Sequence, residues 1–379
     1  MLSEYTEVQM AIISFEVDGL FGKHPAIFLT FNTDMNIITG RNGAGKTSVM
    51  KLMWYIQSGN IEYAISEINF TRAKLTTDDY TCTVFKINRN TCKVIIDIDE
   101  KTTTFEDIAH EDGTTITNAE EDANFELLSI GSSVFLPTFR RIEGGFSVKP
   151  NRGFGRISRT KGDIEESLQA LSKKLSNADH NFVTSISSAD IVELLLGQYA
   201  DLSQQYNDVQ QETSQEIIEQ IKDYEESAEK TESYKARQTL TDIKKKVQSL
   251  ESKRAEIMTP FDELRTIVEK LFIQVGIRID SRINFGDAAG AVHSDELSAG
   301  EKQMLSFLCY NAFYSDSVIF IDEPELSLHV DWQRQLFTIL NRQNSTNQFI
   351  IATHSPFIYS KYPEKELNLD QDRGDMESF

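Results

Sequence analysis

The chain has 379 residues, 40% of them hydrophobic, and a formal net charge of −21 at pH 7. That length holds one large domain or two modest ones, and no run of about 18 apolar residues is present to span a bilayer. A chain this acidic repels nucleic-acid phosphates at long range, so any contact with DNA needs a local basic patch; the charge suits a basic protein partner or solubility equally well.

Residues 1–10 lack the basic-then-apolar layout of a secretory leader. Cys82, Cys92 and Cys309 show neither metal-ligand nor redox spacing, so a reducing, cytoplasmic setting is expected. Residues 10–17, 26–31 and 35–39 are short apolar segments separated by turn residues, and they read as strands. The third runs into a glycine-rich turn, and 46–57 has the pattern of a helix. Further strands are predicted at 80–87 and 92–98, joined by a turn at Asn88, Arg89, Asn90 and Thr91. Cys82 and Cys92 fall in these strands and should pack as small apolar side chains. Residues 134–137 read as another buried strand.

The composition then changes. Arg140, Arg141, Lys149, Arg152, Arg156, Arg159 and Lys161 lie among several glycines, a loop signature with basic charge. From about 163 to 272 the pattern is helical and polar. Leu240, Ile243, Val247, Leu250, Arg254, Ile257, Phe261, Leu264, Val268 and Leu271 step by three and four, a heptad seam with one polar position. Pro260 should kink or break it, leaving the seam firm to about Ile257. A weaker match runs through Leu202, Tyr206, Val209, Thr213, Ile217, Ile221 and Tyr224. The two segments suggest an antiparallel helical hairpin with arms of roughly 30 Å at about 1.5 Å per residue; simple packing of the helices onto the main domain is the alternative. Beyond 273, strand and helix alternate again, with continuous apolar runs at 317–321 and 348–352 of the buried parallel type.

Three motifs carry chemistry. Gly40, Arg41, Asn42, Gly43, Ala44, Gly45, Lys46 and Thr47 spell GxxxxGKT between a predicted strand and helix. Glycines there let the backbone aim N–H groups at phosphates, and the helix N-terminus, where Ser48 follows, adds positive potential. Lys46 should reach the β- and γ-phosphates of ATP, and Thr47 should ligate Mg²⁺. The strand 317–321 ends in Asp322 and Glu323: the first would hold Mg²⁺ through water, the second would orient and deprotonate the attacking water. Leu297, Ser298, Ala299, Gly300, Glu301, Lys302 and Gln303 precede another helical run. Ser298 and Gly300 at a helix start are a second candidate anion-binding turn, although by itself the pairing of Ser298 with Glu301 reads first as an ordinary capping box.

In this order, with His354 in Ala352-Thr353-His354-Ser355-Pro356, the motifs resemble the ABC ATPase superfamily, and within it the SMC, RecF and OLD-like branch rather than transporter subunits. Asn42 inside the first motif, the phrase Asp322-Glu323-Pro324-Glu325-Leu326-Ser327-Leu328-His329, and the helical insertion carry that choice. The resemblance implies an α/β P-loop ATPase head, split into 1–162 and 272–379 around a helical or coiled-coil insertion at 163–271. It implies ATP and Mg²⁺ as cofactors, Glu323, His354 and Lys46 as catalytic residues, and Gly40, Asn42, Gly43, Gly45, Lys46, Thr47, Ser48, Ser298, Gly300 and Glu301 around the nucleotide. Thr47 and Asp322 would be the metal ligands. His354 would be the switch histidine near the γ-phosphate, and Ser327 to His329 would cross a dimer interface. The second cradle would serve a nucleotide held by another subunit, so a homodimer or higher oligomer closed around two ATP molecules is expected.

One departure stands out. Where ABC proteins carry a glutamine after a strand between the first two motifs, this chain has none; Glu143 or Thr138 are the available substitutes. The loop 21–24 is a candidate for the adenine contact, though Phe21 could equally be core. OLD-type nucleases continue past the histidine into a metal-dependent nuclease domain, whereas here a short acidic segment, 370–379, follows. The resemblance is therefore to stand-alone ATPases of bacterial anti-phage defence systems such as PARIS or Septu, with a separate effector, a nuclease, as partner. The alternative is a RecF- or SMC-like ATPase of DNA repair or maintenance, binding DNA through Arg140 to Lys161. A membrane partner is not expected.

Overall fold

The computed structural model describes residues 10–22, 26–89, 91–109, 115–138, 141–142, 163–186, 188–226, 233–271, 298–343 and 346–369. Most of the basic stretch 140–161, including Glu143, lies outside the described residues. So do His24, the segment joining the two long helices, residues 272–297 and the tail 370–379.

In chain order, β1 (Ile12–Asp18), β2 (Ile27–Thr30) and β3 (Met35–Thr39) lead into α1 (Lys46–Gln57) and α2 (Ile61–Glu67). Then come β4 (Arg72–Thr77), β5 (Tyr80–Lys86), β6 (Cys92–Ile98), β7 (Lys101–Glu106), β8 (Ile108–Ala109) and β9 (Thr115–Thr117). α3 (Ala119–Leu127), β10 (Ser132–Leu136), β11 (Arg141–Ile142), α4 (Asp163–Leu175), β12 (His180–Phe182) and β13 (Ser185–Ile186) precede two long helices, α5 (Ser188–Glu226) and α6 (Ser233–Leu271). The last elements are α7 (Ala299–Phe313), β14 (Ser317–Asp322), α8 (Val330–Leu340), β15 (Gln348–Ala352), α9 (Pro356–Tyr359) and β16 (Glu366–Asn368).

The central sheet has the order β12-β10-β14-β15-β3-β16, and each neighbouring pair is parallel. Strands covered on both faces need continuous apolar runs, and β3, β14 and β15 are buried at every position. Asp322 pairs with Ala352, and Ala352 with Ile38, so the carboxyl ends of β14, β15 and β3 align at one edge. That is the edge where parallel α/β sheets place ligands. The second sheet, β2-β1-β4-β5-β6-β7, is antiparallel. Its strands β4, β5 and β6 alternate buried with half-buried positions, as a one-sided sheet requires. Cys82 and Cys92 are buried in it.

Helix α1 touches strands of both sheets and is buried almost all round: Val49, Met50, Leu52, Met53, Trp54 and Ile56 are fully covered. Side chains of this size contribute roughly 1.5–3 kcal/mol each on burial. Trp54 meets Phe135 and Phe182, and those two rings stack at 5.3 Å. A buried amide joins the sheets: Gln348 on β15 accepts the N–H of Ile12 and donates to its carbonyl, both at 2.8 Å.

The chain divides into a unit of Met1–Ser187 with Ser298–Phe379 and a unit of Ser188–Leu297. This is a split α/β head with a helical insertion, the expected fold class. The insertion begins later than residue 163, where the helical pattern starts. α4 contacts β12, and β12 is an edge strand of the central sheet. Phe182 on Phe135, and His180 against Ser133 Oγ at 2.8 Å, hold β12 there.

Within the second unit, α5 and α6 pair antiparallel. Tyr199 meets Phe261, Arg254 lies over Tyr206, and Lys246 bridges Glu216 at 2.6 Å, so positions rising on one helix meet positions falling on the other. Each helix has 39 residues, about 58 Å at 1.5 Å per residue, longer than the heptad segments. α6 runs through Pro260 rather than ending near it, and Phe261, Leu264 and Val268 beyond it are buried. The loss of one N–H is outweighed where the next two turns are packed. At the far end the seam is open: Leu240 is 67% and Val247 44% exposed. No helix among the described residues is long and apolar enough to cross a membrane.

Candidate functional site

The glycine-rich loop leaves β3 at the carboxyl edge and turns into α1 through Gly45, whose φ of 99° is left-handed. A Cβ at Gly45 would also sit 3.0 Å from Leu20 Cδ2, a tight contact, but it is the left-handed backbone that favours glycine here. Asn42 and Gly43 form the exposed crest of the loop, and Ser48 is half-buried in the first turn of α1.

Lys46 is only 5% exposed. Its ammonium donates to the carbonyl of Gly40 at 3.1 Å and faces His354, with Nε2 2.5 Å away. Glu323 Oε1 lies 3.7 Å from the same imidazole nitrogen. Three segments distant in sequence thus bring a cation, an imidazole and a carboxylate together. Glu323 holds a left-handed conformation, φ 46° and ψ 62°, rare for a residue with a side chain. Burial, reinforced by the Asp322 and Glu325 carboxylates, pushes its pKa above the ordinary glutamate value against the pull of His354 and Lys46.

Asp322, fully buried at the end of β14, accepts two hydroxyls. Thr47 Oγ1 donates to Oδ2 at 2.9 Å, and Thr138 Oγ1 donates to the same oxygen. The expected metal ligands therefore adjoin, and Thr138, just past β10, stands with them. Hard oxygen donors of this kind, one of them a carboxylate, fit Mg²⁺ beside a triphosphate.

Ser298 caps α7. Its hydroxyl accepts the Glu301 N–H at 3.3 Å, and Glu301 Oε2 accepts the Ser298 N–H at 2.7 Å, a complete capping box. Ser298 and Ala299 remain exposed. The close approach made by Gly300 is to its own chain: a Cβ there would lie 2.4 Å from the Ser327 carbonyl oxygen. Both readings of this motif are thus compatible with one structure, a cap whose outer face is exposed among the described residues. Phe21, with φ 54° and half exposed, borders the Gly45 turn.

Sequence reasoning assigned nothing to three residues that organise these loops. Gln303 donates to the Pro324 carbonyl at 3.0 Å. Gln333 donates to Leu328 O at 2.8 Å and accepts the Ser355 hydroxyl at 2.7 Å. Glu325 accepts the His354 N–H at 2.7 Å. Glu325 and Gln303 each stood in a quoted motif and could have been singled out; Gln333 carries no local signal.

Residues 35–360 match the profile of a family described as "AAA domain, putative AbiEii toxin, Type IV TA system". Among solved structures, the chain is similar to an Smc head domain with an extended coiled coil bound to the C-terminal domain of ScpA, from Pyrococcus furiosus. The identity is 14%, the TM-score 0.38, and the match covers 93% of this chain and 91% of that one. A head domain with a coiled coil and joint from Pyrococcus yayanosii matches at 12% identity and TM-score 0.37, covering 93% of both chains.

Proposed function

The chain belongs to the AAA-domain family whose profile it matches, and from that premise we propose that it is an ATP-hydrolysing switch. It closes as a dimer around two nucleotides and controls a separate effector, a nuclease, in defence against phage. The observation that carries the catalytic reading is the meeting of Lys46, His354 and Glu323 beside Asp322 and Thr47.

In this reading the backbone N–H groups of 40–47 and the Lys46 ammonium bind the β- and γ-phosphates of ATP. Mg²⁺ held by Thr47 and Asp322 would neutralise phosphate charge. Glu323, a stronger base for its raised pKa, orients a water for attack and takes its proton. His354 stands between base and ammonium, where the γ-phosphate would be sensed. Ser298 and Gly300, at an exposed helix start, contact the nucleotide held by Lys46 of a second copy. The family description, which speaks of a toxin in a toxin–antitoxin system, supports a two-component device rather than a self-sufficient enzyme.

The test has three arms. Purified chain should hydrolyse ATP; no turnover at saturating ATP and Mg²⁺ ends the catalytic reading. Cells carrying the chain with its neighbouring gene should resist phage, and Glu323→Gln should abolish that protection. Salt-dependent DNA binding by the purified chain alone would instead move the conclusion to a direct DNA clamp.

A further inference from the structure

The loop after β14 carries a second glutamate, Glu325, two residues beyond the base. Its Oε1 accepts the backbone N–H of His354 at 2.7 Å. A carboxylate accepting an N–H makes a charge-assisted bond, stronger than a neutral one. A second tie runs parallel. Gln333 Nε2 donates to the carbonyls of Glu325 at 3.3 Å and Leu328 at 2.8 Å, while its Oε1 accepts the Ser355 hydroxyl. Residues 323–328 and 353–355, the two loops that leave β14 and β15, are therefore fastened at adjacent positions.

The other oxygen of Glu325, Oε2, is buried and has no hydrogen-bond partner among the described residues. Leaving a buried carboxylate oxygen unpaired is costly, so packing alone does not favour this side chain. Its one bond goes to the backbone of the residue whose imidazole lies 2.5 Å from Lys46 and 3.7 Å from Glu323. Ser327, in the same loop, lies against Gly300.

We propose that Glu325 is a positioning residue: by holding the His354 backbone it keeps the imidazole between Lys46 and Glu323, and it thereby sets the rate of ATP turnover rather than the affinity for ATP. The proposal rests on the reading of this site as an ATPase centre. Glu325 touches neither nucleotide nor water in this account and acts through His354. The loop that bears it also contacts the turn beginning at Ser298, so displacement of that turn would be transmitted to His354 through Glu325.

The test compares full-length wild type with Glu325→Ala and Glu325→Gln. Glutamine keeps a carbonyl oxygen to accept the His354 N–H; alanine does not. Glu325→Ala should bind ATP within about threefold of wild type yet turn it over roughly tenfold slower or worse, and Glu325→Gln should recover most of the rate. Hydrogen exchange read on peptides spanning 353–359 gives a second measure. Exchange at the His354 amide should quicken about tenfold in Glu325→Ala and stay near wild type in Glu325→Gln, while peptides of α1 remain unchanged. Equal loss of turnover in both variants, unchanged exchange in Glu325→Ala, or loss of ATP binding overturns the proposal. A wild type without turnover removes the ATPase reading itself, and the exchange comparison then judges the tie to His354 alone.

Discussion

The ammonium of Lys46 lies 2.5 Å from Nε2 of His354, although 308 positions separate the two residues. Lys46, the residue proposed to bind phosphate, is thus held by the histidine loop and by its own loop carbonyl at Gly40. A triphosphate would draw the same ammonium onto its oxygens.

Replacing Lys46 with alanine should therefore abolish hydrolysis and weaken ATP binding severely, because a buried triphosphate loses its nearest countercharge. Calorimetric titration with ATP together with phosphate release checks this. A near wild-type rate would place the lysine outside the site.

Glu323→Gln preserves shape and removes the proposed base. Hydrolysis should fall by about 100-fold or more while ATP binding survives. Light scattering with ATP should then show a larger, trapped species. Loss of ATP binding would mean that this glutamate serves the fold or the metal instead.

Thr138→Val keeps the volume but takes away a hydroxyl that Asp322 accepts. If Thr138 replaces the usual glutamine at the metal side of the site, the Mg²⁺ concentration needed for half-maximal ATP binding should rise roughly tenfold, with Thr138→Ser close to wild type. An unchanged Mg²⁺ dependence in the valine variant would argue that the hydroxyl only supports Asp322 sterically.

His180 is buried on β12, and burial lowers its pKa from 6.5 to about 4. A histidine kept neutral in the fold but free to protonate when unfolded stabilises the protein above pH 6.5 and loses that contribution as pH falls towards 4. About 2 kcal/mol should disappear between pH 7 and 5. Urea unfolding at the two pH values measures it, and His180→Asn should remove this portion of the slope. A slope that persists unchanged in the variant would assign it to other groups.

A composite site predicts a crosslink between copies. Ser48 is half-buried in the first turn of α1 and Ala299 is exposed beside Ser298. The native cysteines at 82, 92 and 309 are buried, which keeps the background low. With Ser48→Cys and Ala299→Cys, two chains should join only when ATP is present. ATP-independent joining, or joining within one chain, would contradict a nucleotide shared between copies.

The strands β3, β6 and β15 and the helix α1 have the limits read from the sequence, because each is an uninterrupted apolar or periodic run bounded by turn residues. The glycine loop, Asp322 with Glu323, and the Ser298 turn were legible for a related reason. Their geometry is local, set by a few contiguous residues whose φ, caps and strand ends are encoded where they act. Edge strands β12 and β16 carried no such signal. Each is 3 residues long and exists through its neighbour: β12 through Phe182 stacking on Phe135, β16 through pairing with β3. The passage of α6 through Pro260 was likewise decided by packing on the turns beyond it, which outweighs a local propensity. Only the tertiary structure could bring Thr138 to Asp322, Glu325 to the His354 backbone, and Lys46 to the His354 ring. These are hydrogen bonds between residues that share no helix turn or strand register. They form because parallel strands end together at one edge, and that alignment depends on the cooperative burial of the whole sheet.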